Sequence, residues 1–147
     1  MILRDHQKNV CMQRFPFISL RQSLLLLRIS IALIFLAHAI VRLLLNGSVE
    51  QFATYLNNKG LVFGATIVWL ITIFEIIGGI ALITGHYIRW FAAGFIVLLL
   101  VGCVLIHGER GWFVGEHGSG GCEYSFALIM ALLVIAAADR HSLVKTL

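Results

Sequence analysis

The chain has 147 residues, of which 60% are hydrophobic and 12% charged, with one proline and a formal net charge of +4. Soluble domains carry about a quarter charged residues, so this composition leaves too few charges to wet a compact globule. A disordered chain and a disulfide-dense secreted scaffold are excluded as well. So is a nucleic-acid binder, because the basic residues are scattered at the ends of apolar runs and form no stripe.

Residues 1–22 mix Arg4, Lys8, Arg14 and Arg21 with Phe15, Phe17, Ile18 and Leu20, the composition of a segment lying along a membrane interface. Four apolar runs follow, at 24–45, 61–84, 88–106 and 122–138. As helices they extend about 33, 36, 28 and 25 Å, against a hydrocarbon core of about 30 Å. None alternates polar with apolar, which excludes barrel strands. The fourth run is the shortest and is expected to begin in the interface. Ala37-His38-Ala39 looks like a leader cleavage site, but Arg28 interrupts the apolar stretch before it and the stretch resumes at Ile40. The first run is therefore read as a span.

Two connecting segments carry signals of their own. In 46–60, Ser48 and Gln51 have capping-box spacing, while Val49, Phe52, Ala53 and Leu56 share one helical face. A short amphipathic helix on the outer surface is expected, with Gly60 at its exit. Segment 107–121 holds six of the fourteen glycines together with Glu109, Arg110, Trp112, Glu116 and His117. That density disfavours a helix, leaving either a functional folded-back loop or a flexible outer one.

An even number of crossings places both termini on one side. Arg4, Lys8, Arg14, Arg21, Arg89, Arg140 and Lys145 lie on that side, against Lys59 and Arg110, with Arg42, on the other. The positive-inside rule makes the termini cytoplasmic. The expected architecture is an all-α, polytopic four-helix membrane bundle over 23–140, preceded by the basic segment 1–22 and followed by a cytoplasmic tail, 141–147.

Ionisable residues inside spans are costly unless paired or hydrated. By chain position Arg28 and Glu75 lie at similar depth on antiparallel helices, so the expectation is a buried Arg28–Glu75 pair. The competing reading has Arg28 snorkelling and Glu75 protonated. Arg28, Phe35 and Arg42 repeat every seven residues and form a stripe that faces the interior. His38 and Arg42 share a face, while His107 ends the third run and Glu123 begins the fourth. His38, Arg42, His107 and Glu123 are thus expected to line an outward-facing polar pocket floored by Arg28 and Glu75. Gly78 and Gly79 would permit close helix approach below it.

Such a pocket suits a quinone headgroup, an anionic sulfur compound or a lipid head. His107, Glu116, His117 and Glu123 are suitable metal ligands by type, but their spacing matches no compact site. Cys103 and Cys122 are expected at similar height, either as a redox pair or as two small core thiols.

Several motifs together resemble the DoxX family of small four-helix membrane proteins. In the first run they are Leu27-Arg28, Ile34-Phe35-Leu36 and His38-Ala39-Ile40-Val41-Arg42. In the second they are Phe74-Glu75-Ile76-Ile77-Gly78-Gly79, then Gly85 and Arg89. Beyond them come His107-Gly108, Gly111-Trp112-Phe113, Gly121-Cys122-Glu123-Tyr124-Ser125 and the tail from Asp139 to Leu143. Ala39 replaces the usual glycine, Arg42 stands where lysine is common, and the tail is poor in glycine.

The resemblance implies a multi-pass protein of the bacterial inner membrane. It further implies a redox-linked subunit, since some relatives belong to sulfur-oxidising, quinone-reducing complexes and others to oxidoreductase assemblies in oxidative-stress defence. No Rossmann, haem or iron–sulfur motif is present in the sequence, so the electron carrier would be a diffusible quinone or belong to a partner oxidoreductase subunit. Self-association into a homo-oligomer is the other expected partnership. On this reading Glu75, His107 and Glu123 handle protons and Arg28, His38, Arg42 and Trp112 bind the ligand. The alternative is a non-catalytic scaffold, binding protein or small transporter.

Overall fold

The computed structural model describes residues 18–107, 111–113 and 121–144, with backbone alone at 107 and 140–144. Expectations for Arg4 to Phe17, for Glu109, Arg110, Glu116 and His117, and for the end of the tail lie outside the described residues. Within them the fold is all-helical: α1 (Leu20–Leu44), α2 (Ser48–Asn58), α3 (Gly64–Thr84), α4 (Ile88–Gly102) continued by a π-helical turn (Cys103–His107), and α5 (Glu123–Val144).

Helix α1 starts four residues before its apolar run because a capping box closes it there. The Ser19 hydroxyl accepts from the Gln22 amide at 3.3 Å, and the Gln22 side-chain oxygen accepts from the Ser19 amide at 2.8 Å, satisfying orphan N–H groups at the helix start. The expected capping box at Ser48 and Gln51 is absent. Gly47, at φ +78°, is the N-cap of α2 and Ser48 is already helical. The left-handed backbone that a glycine supplies turns the chain there, so no hydroxyl cap is formed.

The amphipathic face of α2 is the expected one. Ala53 and Leu56 are buried against Val68 of α3, with Val49 and Phe52 packed around them. Helix α3 begins three residues later than its apolar run, and the Gly64 amide donates to the Asn57 side-chain oxygen at 2.9 Å. A Cβ at Gly64 would collide with the Ala53 carbonyl, so α2 folds directly back onto the start of α3. Helix α5 extends well past the expected end at 138.

Helix α1 packs on α3, α3 on α4, α4 on α5, and α5 back on α1. Their shared core centres on Phe35, Leu82, Phe95 and Leu132. The Phe35 and Phe95 rings stack at 3.8 Å between centroids, and Phe74 tilts against Phe95 at 5.0 Å. Glycines make room for the close packing: a Cβ at Gly78 would stand 2.7 Å from the Phe95 ring, and one at Gly79 2.6 Å from Leu36. The close approach expected at Gly78 and Gly79 is therefore present, and it fixes the level at which α1 crosses α3.

The outer surface is apolar in its turn. Leu70 is 62% exposed and Val97 59%, alongside Leu33, Ile77, Leu100 and Leu133. Large exposed apolar surface on helices is what a hydrocarbon solvent selects. Among the described residues, three helices are long and apolar enough to cross a membrane: α1, α3, and α4 with its π turn.

Candidate functional site

Thr72 and Glu75 lie one turn apart on the buried face of α3. Arg42, in the last turn of α1, donates from one terminal nitrogen to Glu75 Oε2 at 2.7 Å and to Thr72 Oγ1 at 2.8 Å. The Thr72 hydroxyl donates in turn to the Val68 carbonyl at 2.8 Å, which orients its lone pairs towards the guanidinium. Phe52 of α2 covers the same cation, its ring centroid 5.4 Å away. The Arg42 and Glu75 side chains are only 13% and 6% exposed. Three helices thus hold one buried, charge-assisted cluster.

This corrects the expected Arg28–Glu75 pair. Side chains lean towards the N-terminus of their own helix. On antiparallel α1 and α3, Arg28 and Glu75 therefore lean apart, whereas Arg42 and Glu75 lean together. The crossing level agrees: Leu36 meets Gly79, and the Arg28 guanidinium lies against Gly85. Gly85 is ten residues, or about 15 Å along the helix, from Glu75. Counting depth from the ends of apolar runs misses this, because the runs do not coincide with the helices.

The cluster forms part of the wall of a cavity of about 490 Å³. Phe35, His38 and Arg42 of α1 line it, with Phe52 and Leu56 of α2 and Ile67, Ile71 and Glu75 of α3. The other side is formed by Leu98, Leu99 and Gly102 of α4, Leu105 and Ile106 of the π turn, and Tyr124, Ser125 and Leu128 of α5. Apart from the charged cluster, His38 and the hydroxyls of α5, the walls are apolar.

His38 is exposed although it lines the cavity. It stands one turn before Arg42 on the same face of α1. It marks the open side.

Two features here have little sequence signal. The π turn places Leu105 so that its carbonyl accepts from the Tyr55 hydroxyl at 3.1 Å, tying α2 to the end of α4. Such turns recur at functional sites. Thr72 was detectable only as a polar residue three positions before Glu75 in an apolar run.

Of the expected pocket residues, His38, Arg42 and Glu75 come together. Arg28 does not floor this cavity and lines a second one at the other end of the molecule. Glu123 opens α5 beside Tyr124 and Ser125 but is not itself in the lining, and its amide donates to the Trp112 carbonyl at 3.0 Å. Trp112 packs on Phe126 at 5.7 Å between ring centroids, away from the cavity. His107 closes the π turn, and its side chain lies outside the described residues. Cys103 and Cys122 are half-buried free thiols, and Cys122 Sγ approaches the Cys103 carbonyl at 3.9 Å. No group of metal-ligating side chains occurs among the described residues.

No curated protein and no solved structure matches the chain. The family model described as DoxX matches residues 23–108, a span that runs from the first turn of α1 to just beyond the π turn and includes the Arg42–Thr72–Glu75 cluster and His38. With more than half of its length covered, the chain belongs to the DoxX family.

Proposed function

We propose that this protein is a redox-linked membrane subunit whose cavity takes a quinone headgroup. Four helices, α5 being the fourth, cross a bacterial inner membrane with both termini cytoplasmic, so that α2 and the cavity lie towards the outer face. The observation that carries this reading is the buried Arg42–Thr72–Glu75 cluster beside a largely apolar cavity that Arg42 and Glu75 line.

A quinone headgroup is an apolar ring with carbonyl oxygens at opposite edges. The chain presents matching chemistry: apolar walls, and a cation beside a carboxylate in one of them. When bound, a quinone supplies two-electron, two-proton redox chemistry. Arg42 orients a carbonyl oxygen and favours negative charge there. Glu75 and His38 hold protons beside it. Glu123 and His107 stand at the outer end of the helices that line the cavity, where protons exchange with water. The open flank at His38 faces hydrocarbon, the phase through which a quinone diffuses. A partner oxidoreductase subunit supplies or removes the electrons.

A scaffold role is the second reading, favoured by the fact that Arg42 and Glu75 satisfy one another. Mass spectrometry of quinones retained by gently purified protein separates the two. Wild type should retain quinone, and a folded Glu75→Gln/Arg42→Gln variant should retain about tenfold less, as expected when a charge-assisted contact worth about 1.5 kcal/mol is lost. Equal retention by both, or none by either, favours the scaffold.

A further inference from the structure

At the end of the molecule away from the quinone cavity, Arg28 occupies an unusual position. Its Nε is buried and has no hydrogen-bond partner among the described residues. Its terminal nitrogens lie against Gly85, 3.5 and 3.6 Å from where a Cβ would stand. Gly85 caps the carbonyl end of α3, so the guanidinium faces a weak negative pole but makes no bond to it. Leaving a buried guanidinium N–H unsatisfied is costly, and a site that does so is arranged for something else to accept.

Arg28 lines a second cavity, of about 590 Å³, between α1, the start of α4 and the lower part of α5. Leu24 and Leu25, Ile88, and Ile135 with Ala138 form apolar walls. Arg21, two turns before Arg28 on the same face, stands at the rim with Asp139. Asp139 is the carboxylate of this cavity, and it pairs with Arg89 at 4.0 Å. Two arginines are therefore left for an anion, above walls that accept hydrocarbon.

We propose that this cavity binds the phosphodiester of an anionic membrane phospholipid. Arg28 donates to the phosphate oxygens from within, and Arg21 neutralises the headgroup at the rim. The acyl chains leave along the exposed Leu20 and Leu25. Planar guanidinium donors match phosphate oxygens in pairs, and the depth, about two turns inside α1, is that of a headgroup drawn slightly into the bilayer. Basic pockets between membrane helices take anionic headgroups for these reasons.

The test is native mass spectrometry of the full chain, released from nanodiscs of equal parts phosphatidylglycerol and phosphatidylcholine. Wild type should carry phosphatidylglycerol in preference to phosphatidylcholine. Arg28→Gln should lower that preference about fivefold, the effect of one interfacial cation, and Arg28→Lys should restore part of it. Ala138→Phe, which fills the cavity without changing charge, should lower it as well and decides the matter if Arg28→Gln fails to fold. Unchanged preference in the folded variants overturns the proposal. So does retention of inorganic phosphate without lipid enrichment, which would make the site one for a soluble anion. Neither result depends on whether the other cavity takes a quinone.

Discussion

The pairing of Arg42 with Glu75 governs the energetics of the interior. Removing one partner of a buried ion pair leaves the other charge uncompensated, at about 3–5 kcal/mol. Arg42→Gln should therefore lower unfolding stability in micelles by about that amount, read from denaturant or thermal melts. A double-mutant cycle makes the partner explicit. Arg42→Gln with Glu75→Gln should show a coupling well above the ~0.5 kcal/mol scatter of independent sites, whereas Arg28→Gln with Glu75→Gln should be additive. Coupling to Arg28 instead would reverse the assignment. Thr72→Val removes one hydrogen bond to the guanidinium and should cost about 1 kcal/mol, and Thr72→Ser should recover it. The residue types at this site were legible in the sequence, since an arginine, a histidine and a glutamate inside apolar runs require an explanation. Their pairing was not, because it follows from side-chain lean and from the level at which α1 and α3 cross.

Between helices the geometry is set by where side chains are missing. Gly79 sits where a methyl group would press on Leu36 at 2.6 Å, while a Cβ at Gly102 would meet nothing within 4 Å. Gly79→Ala should destabilise by about 1–3 kcal/mol through overpacking. Gly102→Ala should be neutral or stabilise by up to about 1 kcal/mol, since alanine lowers the entropy cost of a helical position. Melting temperatures of the two variants measured side by side would check the contrast. Helix α2 depends on a different tie, the Tyr55 hydroxyl on the Leu105 carbonyl. Tyr55→Phe should speed amide hydrogen exchange across residues 48–58 while leaving α3 unchanged, a local loosening in the sense of a low-stability unit. The apolar face of α2 was readable from its spacing, as was its exit at Gly60, where φ is +91°. The π turn was not, because an apolar run reads alike whether its hydrogen bonds close after four residues or five.

For the whole molecule, the asymmetry of basic residues leads to the proposed orientation, which labelling of single cysteines in an otherwise cysteine-free chain will test. Asn46→Cys, between α1 and α2, should react with an impermeant maleimide on intact cells. His86→Cys, between α3 and α4, should react only after permeabilisation. The opposite pattern would invert the topology and place the cavity proposed for a quinone at the cytoplasmic face. Helices α1, α3, α4 and α5 close a ring that leaves one cavity towards α2 and another towards Arg28. The two ends therefore differ in chemistry, a paired cation and carboxylate at one and an unsatisfied guanidinium at the other.

The sequence alone determined that this is an all-helical membrane protein of the DoxX family. It also located three membrane-length apolar helices to within a few residues and marked the ionisable positions to be explained. Those properties follow from composition, run length and the cost of charge in hydrocarbon, which are local and additive. Which charges meet, and which stands alone, was decided by tertiary structure. Helix ends are set by caps such as Ser19 and Gly47, and the level at which α1 crosses α3 by Gly79, which admits Leu36. A guanidinium on a long flexible stem then reaches whichever carboxylate those levels bring within about 3 Å.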